Sequence, residues 1–364
     1  MKPDSTPKQG LPPPPFQGLR VAESAGTAGA LTGRMLTDLG ATVFTARSKS
    51  DGSSGRLAAF YGAFDLGKTV VRAAEFAEHA LSADVILWDV NAQPGAICCT
   101  SLRADNPSAI ILRFTPFGSN GPDADRPSSD LIAIAASGYL NLTGAAQGRP
   151  VKPSAPFMSA RFASLHAFAA LLIARRRQRK TGQGALIDVS IRDVGLWMLV
   201  NAYQFWDQQQ INLTRRGNTY AIGDMSLALP LLFETSDGSV VWLPMTGRDV
   251  RGMQALVGRM AAAGFAAPDL LARDLTQIEF ASQAEIEDFL QPFRSYFRSQ
   301  KTTSLYDDAV IDGTLLAPVN NFSHVLDDPQ LAARDNWIIT KNGKDKLPKA
   351  PVQMTAVPWP ARSQ

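Results

Sequence analysis

The chain contains few of the residues that build disulfide-rich, metal-bound or membrane-embedded proteins. Its 364 residues include two cysteines and three histidines, which excludes a disulfide framework and argues against a histidine-rich metal site. The net charge is only +3, so no strong attraction to nucleic acid or to an anionic membrane is expected. No window reaches the roughly 18 apolar residues of a membrane span, and the N-terminal segment has no apolar signal core. These absences favour a cytoplasmic protein that uses no metal, nucleic acid or membrane.

Material for a large folded core is nevertheless present. Hydrophobic residues make up 45% of the chain and charged residues 19%, a balance typical of globular proteins. At about 150 residues per domain, the length predicts two domains. Residues 1–17 form a proline-rich leader, with four consecutive prolines at 12–15, and we interpret it as a disordered tail or an extended arm.

Strand and helix patterns alternate through the first half of the chain. The predicted strands are 19–22, 41–46, 84–88, 109–114 and 185–190, and the predicted helices are 30–39, 73–81, 159–179 and 194–205. This alternation predicts an α/β domain with a parallel, doubly wound sheet. The segment 225–315 instead reads as a smaller α+β domain, in which Ser236-Asp237-Gly238 forms a hairpin between strands 229–234 and 239–245 and helices follow at 250–263 and 284–298.

Several local motifs favour structural roles over chemical ones. The glycines at 26, 29 and 33 follow a strand and open a helix, but their spacing departs from the dinucleotide fingerprint, which favours close helix–sheet packing. Cys98 and Cys99 have no basic neighbour in the sequence to lower a thiol pKa, so we interpret them as a packed pair. His166 lies in an apolar helix and is interpreted as a satisfied core residue.

Short sequence motifs occur in a fixed order over nearly the whole chain. Each motif alone is weak evidence for a family, but the ordered set is specific. They are Gly18-Leu19-Arg20-Val21, Ala28-Gly29, LTDLGA at 36–41, Phe117-Gly118, Gly121-Pro122, Arg126-Pro127, DLIA at 130–133, Ser137-Gly138, Thr143-Gly144, TGQG at 181–184, Asp188-Val189-Ser190, APVN at 317–320, Asp328-Pro329-Gln330 and Ala333-Arg334. In this order they resemble the class III CoA-transferase family, which includes formyl-CoA transferases, carnitine CoA-transferases and alpha-methylacyl-CoA racemases.

The resemblance implies a fold and a reaction. It implies a large Rossmann-like domain at 18–224, a small domain at 225–315, a C-terminal stretch at 316–364 that returns to the large domain, and two chains threaded as interlocked rings. The substrates implied are an acyl-CoA thioester and a carboxylic acid. In the family, an aspartate that opens a long helix attacks the thioester, and CoA passes to the second acid through anhydride and aspartyl-CoA intermediates.

This chain departs from the family at the nucleophile. Ser159 occupies the position of that aspartate, and a serine is a poor substitute because its alkoxide is a far worse leaving group than a carboxylate. Asp130 is the best remaining carboxylate near the expected cleft, although capping of the helix that follows it is the simpler role. Ser129 stands where the racemases have a histidine, so proton abstraction from carbon is not expected.

The CoA-binding motifs are only partly present. The resemblance places CoA contacts at Thr27, Ala28, Gly29 and Lys68, but the motif after the third predicted strand is altered at 88–95 and Arg47 replaces a glutamate. The pattern therefore predicts a subunit without a nucleophile, paired with a related chain that carries the aspartate. For CoA, two alternatives stay open: it binds to both chains, or it binds to the partner alone. The succinyl-CoA:benzylsuccinate CoA-transferases are a group built in this way. The alternatives are a self-sufficient enzyme that uses another residue and a binding or regulatory protein on the same fold.

Overall fold

The computed structural model describes residues 13–24, 26–47, 61–92, 98–222, 226–244, 250–340 and 346–352. The chain divides into two compact units, one formed by residues 1–143, 151–213 and 332–364 and the other by residues 144–150 and 214–331. The domain boundaries at 225 and 316 remain predictions.

The first unit contains a six-stranded parallel sheet in the order β3-β2-β1-β4-β5-β6. The strands are β1 (Arg20–Glu23), β2 (Thr42–Arg47), β3 (Thr69–Arg72), β4 (Val85–Asp89), β5 (Ile110–Thr115) and β6 (Ala185–Ser190). This is the strand order of the Rossmann fold, so the predicted fold class of this unit is confirmed. The chain order reverses between β1 and β4, which is where open sheets of this kind bind ligands.

Alternating apolar side chains explain why the sheet is covered on both faces. On β4, Val85 and Leu87 belong to one buried cluster, whereas Ile86 and Trp88 belong to another. The sequence of β4 therefore reads as a continuous apolar run, as expected for a strand buried on both faces.

Helices supply the two covering layers. They are α1 (Ala30–Asp38), α2 (Phe76–Leu81, preceded by a 3₁₀ turn at Ala73–Glu75), α3 (Cys99–Asp105), α4 (Asp130–Ala136), α5 (Met158–Thr181), α6 (Ile191–Trp197) and α7 (Val200–Gln209), with a further 3₁₀ turn at Tyr139–Leu142. Two differences from the predicted elements stand out. Strand β3 was not predicted, because its side chains are largely exposed at the edge of the sheet, and the single helix predicted at 194–205 is two helices that break at Met198 and Leu199.

The described part of the leader is packed. Phe16 donates its N–H to the carbonyl of Leu39 at 3.0 Å and packs against the sheet core. Residues 1–12, which include the start of the proline run, lie outside the described residues.

The second unit is an α+β body, as predicted for this part of the chain. Its strands are β7 (Thr219–Ile222), β8 (Leu227–Pro230), β9 (Leu232–Glu234), β10 (Ser239–Trp242) and β11 (Leu316–Pro318), and its helices are α8 (Arg251–Ala262), α9 (Pro268–Ala272), α10 (Gln283–Ser299), α11 (Thr302–Asp312) and α12 (Phe322–Leu326). Helix α13 (Pro329–Ala333) begins in this unit, which ends at Leu331. The predicted hairpin joins β9 and β10 in an antiparallel sheet that continues to β11. The strand predicted at 229–234 is divided after Pro230, so that β8 pairs with β7 and β9 with β10.

An aromatic cluster holds the second unit together. The rings of Trp242 and Phe293 stack with their centroids 4.6 Å apart, and Phe297 contacts Trp242 edge-on at 5.4 Å. Both phenylalanines lie on the buried face of α10, and such pairs add to the stability gained from apolar burial.

A short antiparallel pair, β12 (Trp337–Ile339) and β13 (Lys346–Pro348), completes the described chain. Among the described residues, no helix is long and apolar enough to cross a membrane.

Candidate active site

A cleft of about 350 Å³ lies in the first unit at the carboxyl edge of the parallel sheet. The loops that follow β1, β4 and β5 line it, together with the first turns of α4 and α5. Thr27, Ala28, Asp89, Asp130 and Ser159 all face this cleft. Its position agrees with the ligand site expected where the strand order reverses.

Ser159 and Asp130 form a hydrogen-bonded pair in the cleft wall. The Ser159 hydroxyl donates to Oδ1 of Asp130 at 2.6 Å, and the Ser159 backbone N–H donates to the same oxygen at 2.9 Å. Ser159 is only 2% exposed. The two predicted candidates are therefore brought together, 29 positions apart in the sequence.

The carboxylate of Asp130 caps α5 rather than its own helix. The first turn of α5 contains no acidic residue, and Phe157 before it provides no side-chain cap. Asp130 supplies both an acceptor and a negative charge there, which stabilise a helix N-terminus. The expectation that Asp130 caps the following helix is wrong, because the Ser129 hydroxyl caps α4 by accepting the N–H of Ile132 at 3.4 Å.

This geometry does not make Ser159 a strong nucleophile. Its hydroxyl proton points to a carboxylate, which is a weak base toward an alcohol, and the residue is almost fully buried. An activated serine needs a general base matched to its task, most often a histidine. The described residues that line the cleft include no histidine.

The turn between β1 and α1 packs closely against its neighbours, as its glycines predict. A Cβ at Gly29 would lie 3.1 Å from the ring of Phe114, and one at Gly26 would collide with the carboxylate of Asp89. Thr27 and Ala28 line the cleft, whereas Gly29 is the residue before α1. The role of these three residues as CoA contacts remains a prediction.

Lys68 is held in a buried ion pair rather than facing the cleft. Its ammonium lies 2.7 Å from the carboxylate of Glu23 and 3.0 Å from the carbonyl oxygen of Ala30, and its side chain is 0% exposed. A Cβ at Gly33 would collide with that carboxylate, so the glycine makes room for the pair beneath α1. This placement does not support the predicted contact between Lys68 and CoA.

Asp89 is the cleft residue that the sequence analysis missed. It ends β4, is 5% exposed, and accepts the backbone N–H of Ala28 at 3.3 Å and that of Asn91 at 3.0 Å. Burial raises the pKa of this carboxyl above its ordinary value, although the two N–H donors act in the opposite direction. A polar residue directly after a buried strand was the available signal, because such residues meet at the carboxyl edge of a parallel sheet.

The two cysteines differ more than the sequence suggested. Cys98 is exposed, and hydrogen bonds from Thr100 and Ser101 lower the pKa of its thiol to about 7. Cys99 is buried, which raises the pKa of its thiol. The interpretation as a packed pair is therefore wrong for Cys98, because this residue is exposed. Neutral hydroxyl and amide donors lower its thiol pKa without the basic neighbour that the sequence lacks. His166 is satisfied, as expected, by the carbonyl of Phe162 at 3.0 Å.

The sequence of this chain is similar to a protein family and to several characterised proteins. The family model described as CoA-transferase family III matches residues 82–364. A subunit (BbsE) of succinyl-CoA:(R)-benzylsuccinate CoA-transferase from Thauera aromatica is 32% identical over 266 residues, which are 71% of this chain and 62% of that protein. The beta subunit of succinyl-CoA–L-malate CoA-transferase from Chloroflexus aurantiacus is 27% identical over 237 residues, 64% of this chain and 55% of that subunit. The aligned region therefore spans less than two thirds of either relative.

A solved structure covers almost the whole fold. The crystal structure of a CAIB/BAIF family protein from Brucella suis superposes with a TM-score of 0.80 at 22% identity, over 95% of this chain and 94% of that one. At this identity the likeness shows the fold alone.

Proposed function

Since the chain belongs to CoA-transferase family III, we propose that it is the non-catalytic subunit of a heteromeric CoA-transferase. The complex moves CoA between an acyl-CoA and a carboxylic acid. A related subunit that carries an aspartate at the position of Ser159 performs the covalent step. Two relatives of the chain, BbsE and the beta subunit of succinyl-CoA–L-malate CoA-transferase, are subunits of CoA-transferases, which supports this assignment.

The observation that carries the proposal is the bonding of Ser159. Covalent transfer through this position needs a carboxylate, because the acyl and CoA intermediates must each expel a good leaving group. Here the position holds a buried hydroxyl that donates to Asp130 at 2.6 Å. A seryl ester formed there would be a dead end, so the pair serves as a clamp on the start of α5.

Exposed apolar side chains on the helices of the first unit support a partner chain. Ile173 is 74% exposed, Trp197 62% and Trp206 54%. Further exposed apolar side chains on α5, α6, α7 and the turn between them are Leu165, Leu172, Leu196, Met198, Val200 and Tyr203. A surface of this composition marks a protein interface, and the interlocked ring of two related chains that the family resemblance implies is the occupant we assign to it.

The test is reconstitution of the complex. The chain is copurified from its host, its partner is identified by native mass spectrometry, and CoA exchange is assayed for each subunit and for the complex. We expect exchange only in the complex, its loss when the partner's aspartate is replaced by alanine, and less than a threefold change for Ser159→Ala. Exchange by this chain alone would overturn the proposal.

A second candidate function rests on Asp130. Its carboxylate lines the cleft beside the start of α5, so a chain active alone would use it as the nucleophile. In that case Asp130→Asn abolishes exchange by the isolated chain and Ser159→Ala does not.

A further inference from the structure

The carboxylate of Asp89 lies where a doubly wound sheet ordinarily receives a phosphate. It ends β4, next to β1, at the point where the strand order reverses. In nucleotide-binding sheets of this order, the backbone N–H groups of the turn after β1 and the start of the following helix hold the phosphate groups.

In this chain the carboxyl group of Asp89 already occupies that turn. Oδ2 of Asp89 accepts the N–H of Ala28 at 3.3 Å and lies so close to Gly26 that a Cβ there would collide with it. The other oxygen accepts the N–H of Asn91 at 3.0 Å, and the backbone N–H of Asp89 donates to the Ser24 hydroxyl at 2.8 Å. These contacts fix the carboxylate against the turn from both sides.

Among the described residues that line the cleft, none carries a positive charge that could compensate a phosphate. Asp89 and Asp130 are both among its lining residues, and no Lys, Arg or His is found among the described residues that line it. Lys68, the predicted cation, is buried against Glu23 instead. A phosphate brought to this turn would meet a fixed negative charge at short range, and such repulsion is strong in a partly buried site.

We propose that Asp89 is an internal anion that takes the place of a phosphate at the β1–α1 turn and excludes the phosphate groups of CoA from it. The inference rests on the proposed function, because it assigns the binding of the CoA nucleotide to the partner subunit. The residues present therefore do not fit CoA at this turn, although the family uses CoA thioesters.

Binding of 3′,5′-ADP, the nucleotide part of CoA, to the full-length chain tests the inference by calorimetry without any turnover. Asp89→Asn removes the charge, and Asp84→Asn is the matched control. Asp84 is near the opposite end of the same strand, where its carboxylate accepts the N–H of Arg20 at 2.9 Å. We expect Asp89→Asn to bind the nucleotide at least about tenfold more tightly than the unaltered chain, and Asp84→Asn to match the unaltered chain.

Equal affinity in the unaltered chain and in Asp89→Asn, or weaker binding in the variant, would overturn the inference. If Asp89→Asn does not fold, Asp89→Ser also removes the charge while it keeps a hydrogen-bond acceptor, and the same tenfold criterion applies. Nucleotide binding is measured without CoA exchange, so the two proposals can fail separately. The proposed function fails if the isolated chain exchanges CoA, whereas this inference fails if Asp89→Asn does not bind the nucleotide more tightly.

Discussion

Glu23 and Asp89 end neighbouring parallel strands, yet the protein treats their charges differently. Glu23 is 1% exposed and lies 2.7 Å from the ammonium of Lys68. Asp89 is 5% exposed and is held by the backbone N–H groups of Ala28 and Asn91. The Lys68 ammonium under α1 compensates the charge of Glu23. Burial disfavours the charge of Asp89, and the backbone N–H groups of Ala28 and Asn91 offset this effect only in part.

The largest expected effect comes from removing the cation of the first site. Lys68→Met leaves the buried carboxylate of Glu23 uncompensated and should lower the free energy of unfolding by about 3–5 kcal/mol. Denaturant unfolding of the full chain measures this loss, and the double variant Lys68→Met, Glu23→Gln should recover part of it. A stable Lys68→Met variant that only loses CoA affinity would instead make Lys68 a ligand contact.

Asp130 adds a third carboxylate to the comparison, one stabilised by a helix terminus. Asp130→Ala removes the acceptor of both the hydroxyl and the N–H of Ser159, and we expect a loss of about 2 kcal/mol in the free energy of unfolding. Ser159→Ala removes only the hydroxyl bond and should cost about 1 kcal/mol. Equal losses in the two variants would show that the N–H bond to α5 contributes nothing.

The pH dependence of stability reports on Asp89 directly. Its pKa is raised in the folded protein by burial, so the folded state binds more protons than the unfolded state above the ordinary carboxyl pKa of about 3.9. The unaltered chain should therefore lose stability relative to Asp89→Asn as the pH rises from about 4 through the raised folded pKa. Unfolding of both proteins across this range measures the difference, and a difference independent of pH would contradict the raised pKa.

The smallest expected effect is on the reactivity of Cys98. This residue shows how hydrogen bonding shifts a pKa where burial does not contribute. Like Asp89 it is held by neutral donors, but it is exposed, and its thiol pKa is lowered to about 7. Alkylation of Cys98 by iodoacetamide should follow a midpoint near pH 7, and Cys98→Ser should leave only slow labelling of the buried Cys99. A midpoint near 9.0, the ordinary pKa of a cysteine thiol, would contradict the role of the Thr100 and Ser101 hydrogen bonds.

Much of the parallel sheet was predictable because its buried strands have a recognisable local pattern of apolar residues. Buried strands such as Val85–Asp89 are continuous apolar runs between polar boundaries, and the glycines before and within α1 indicate close packing. Strand β3 was not predicted because an exposed edge strand lacks that apolar pattern. The predicted helix at 194–205 carries no local signal for its break after Trp197.

Residue types along the chain were enough to indicate the family, since its pattern depends on order and identity alone. The placement of Ser159 at the family's nucleophile position remains a prediction from that pattern. Only the tertiary structure decided how the polar groups pair. The carboxylate of Asp130 bonds to Ser159, 29 residues away, the ammonium of Lys68 faces Glu23 rather than the cleft, and the carboxylate of Asp89 covers a turn 61 residues earlier. Such pairings follow from which strands and helices are neighbours in space, because the energy of a buried charge depends on the groups that surround it in the folded chain.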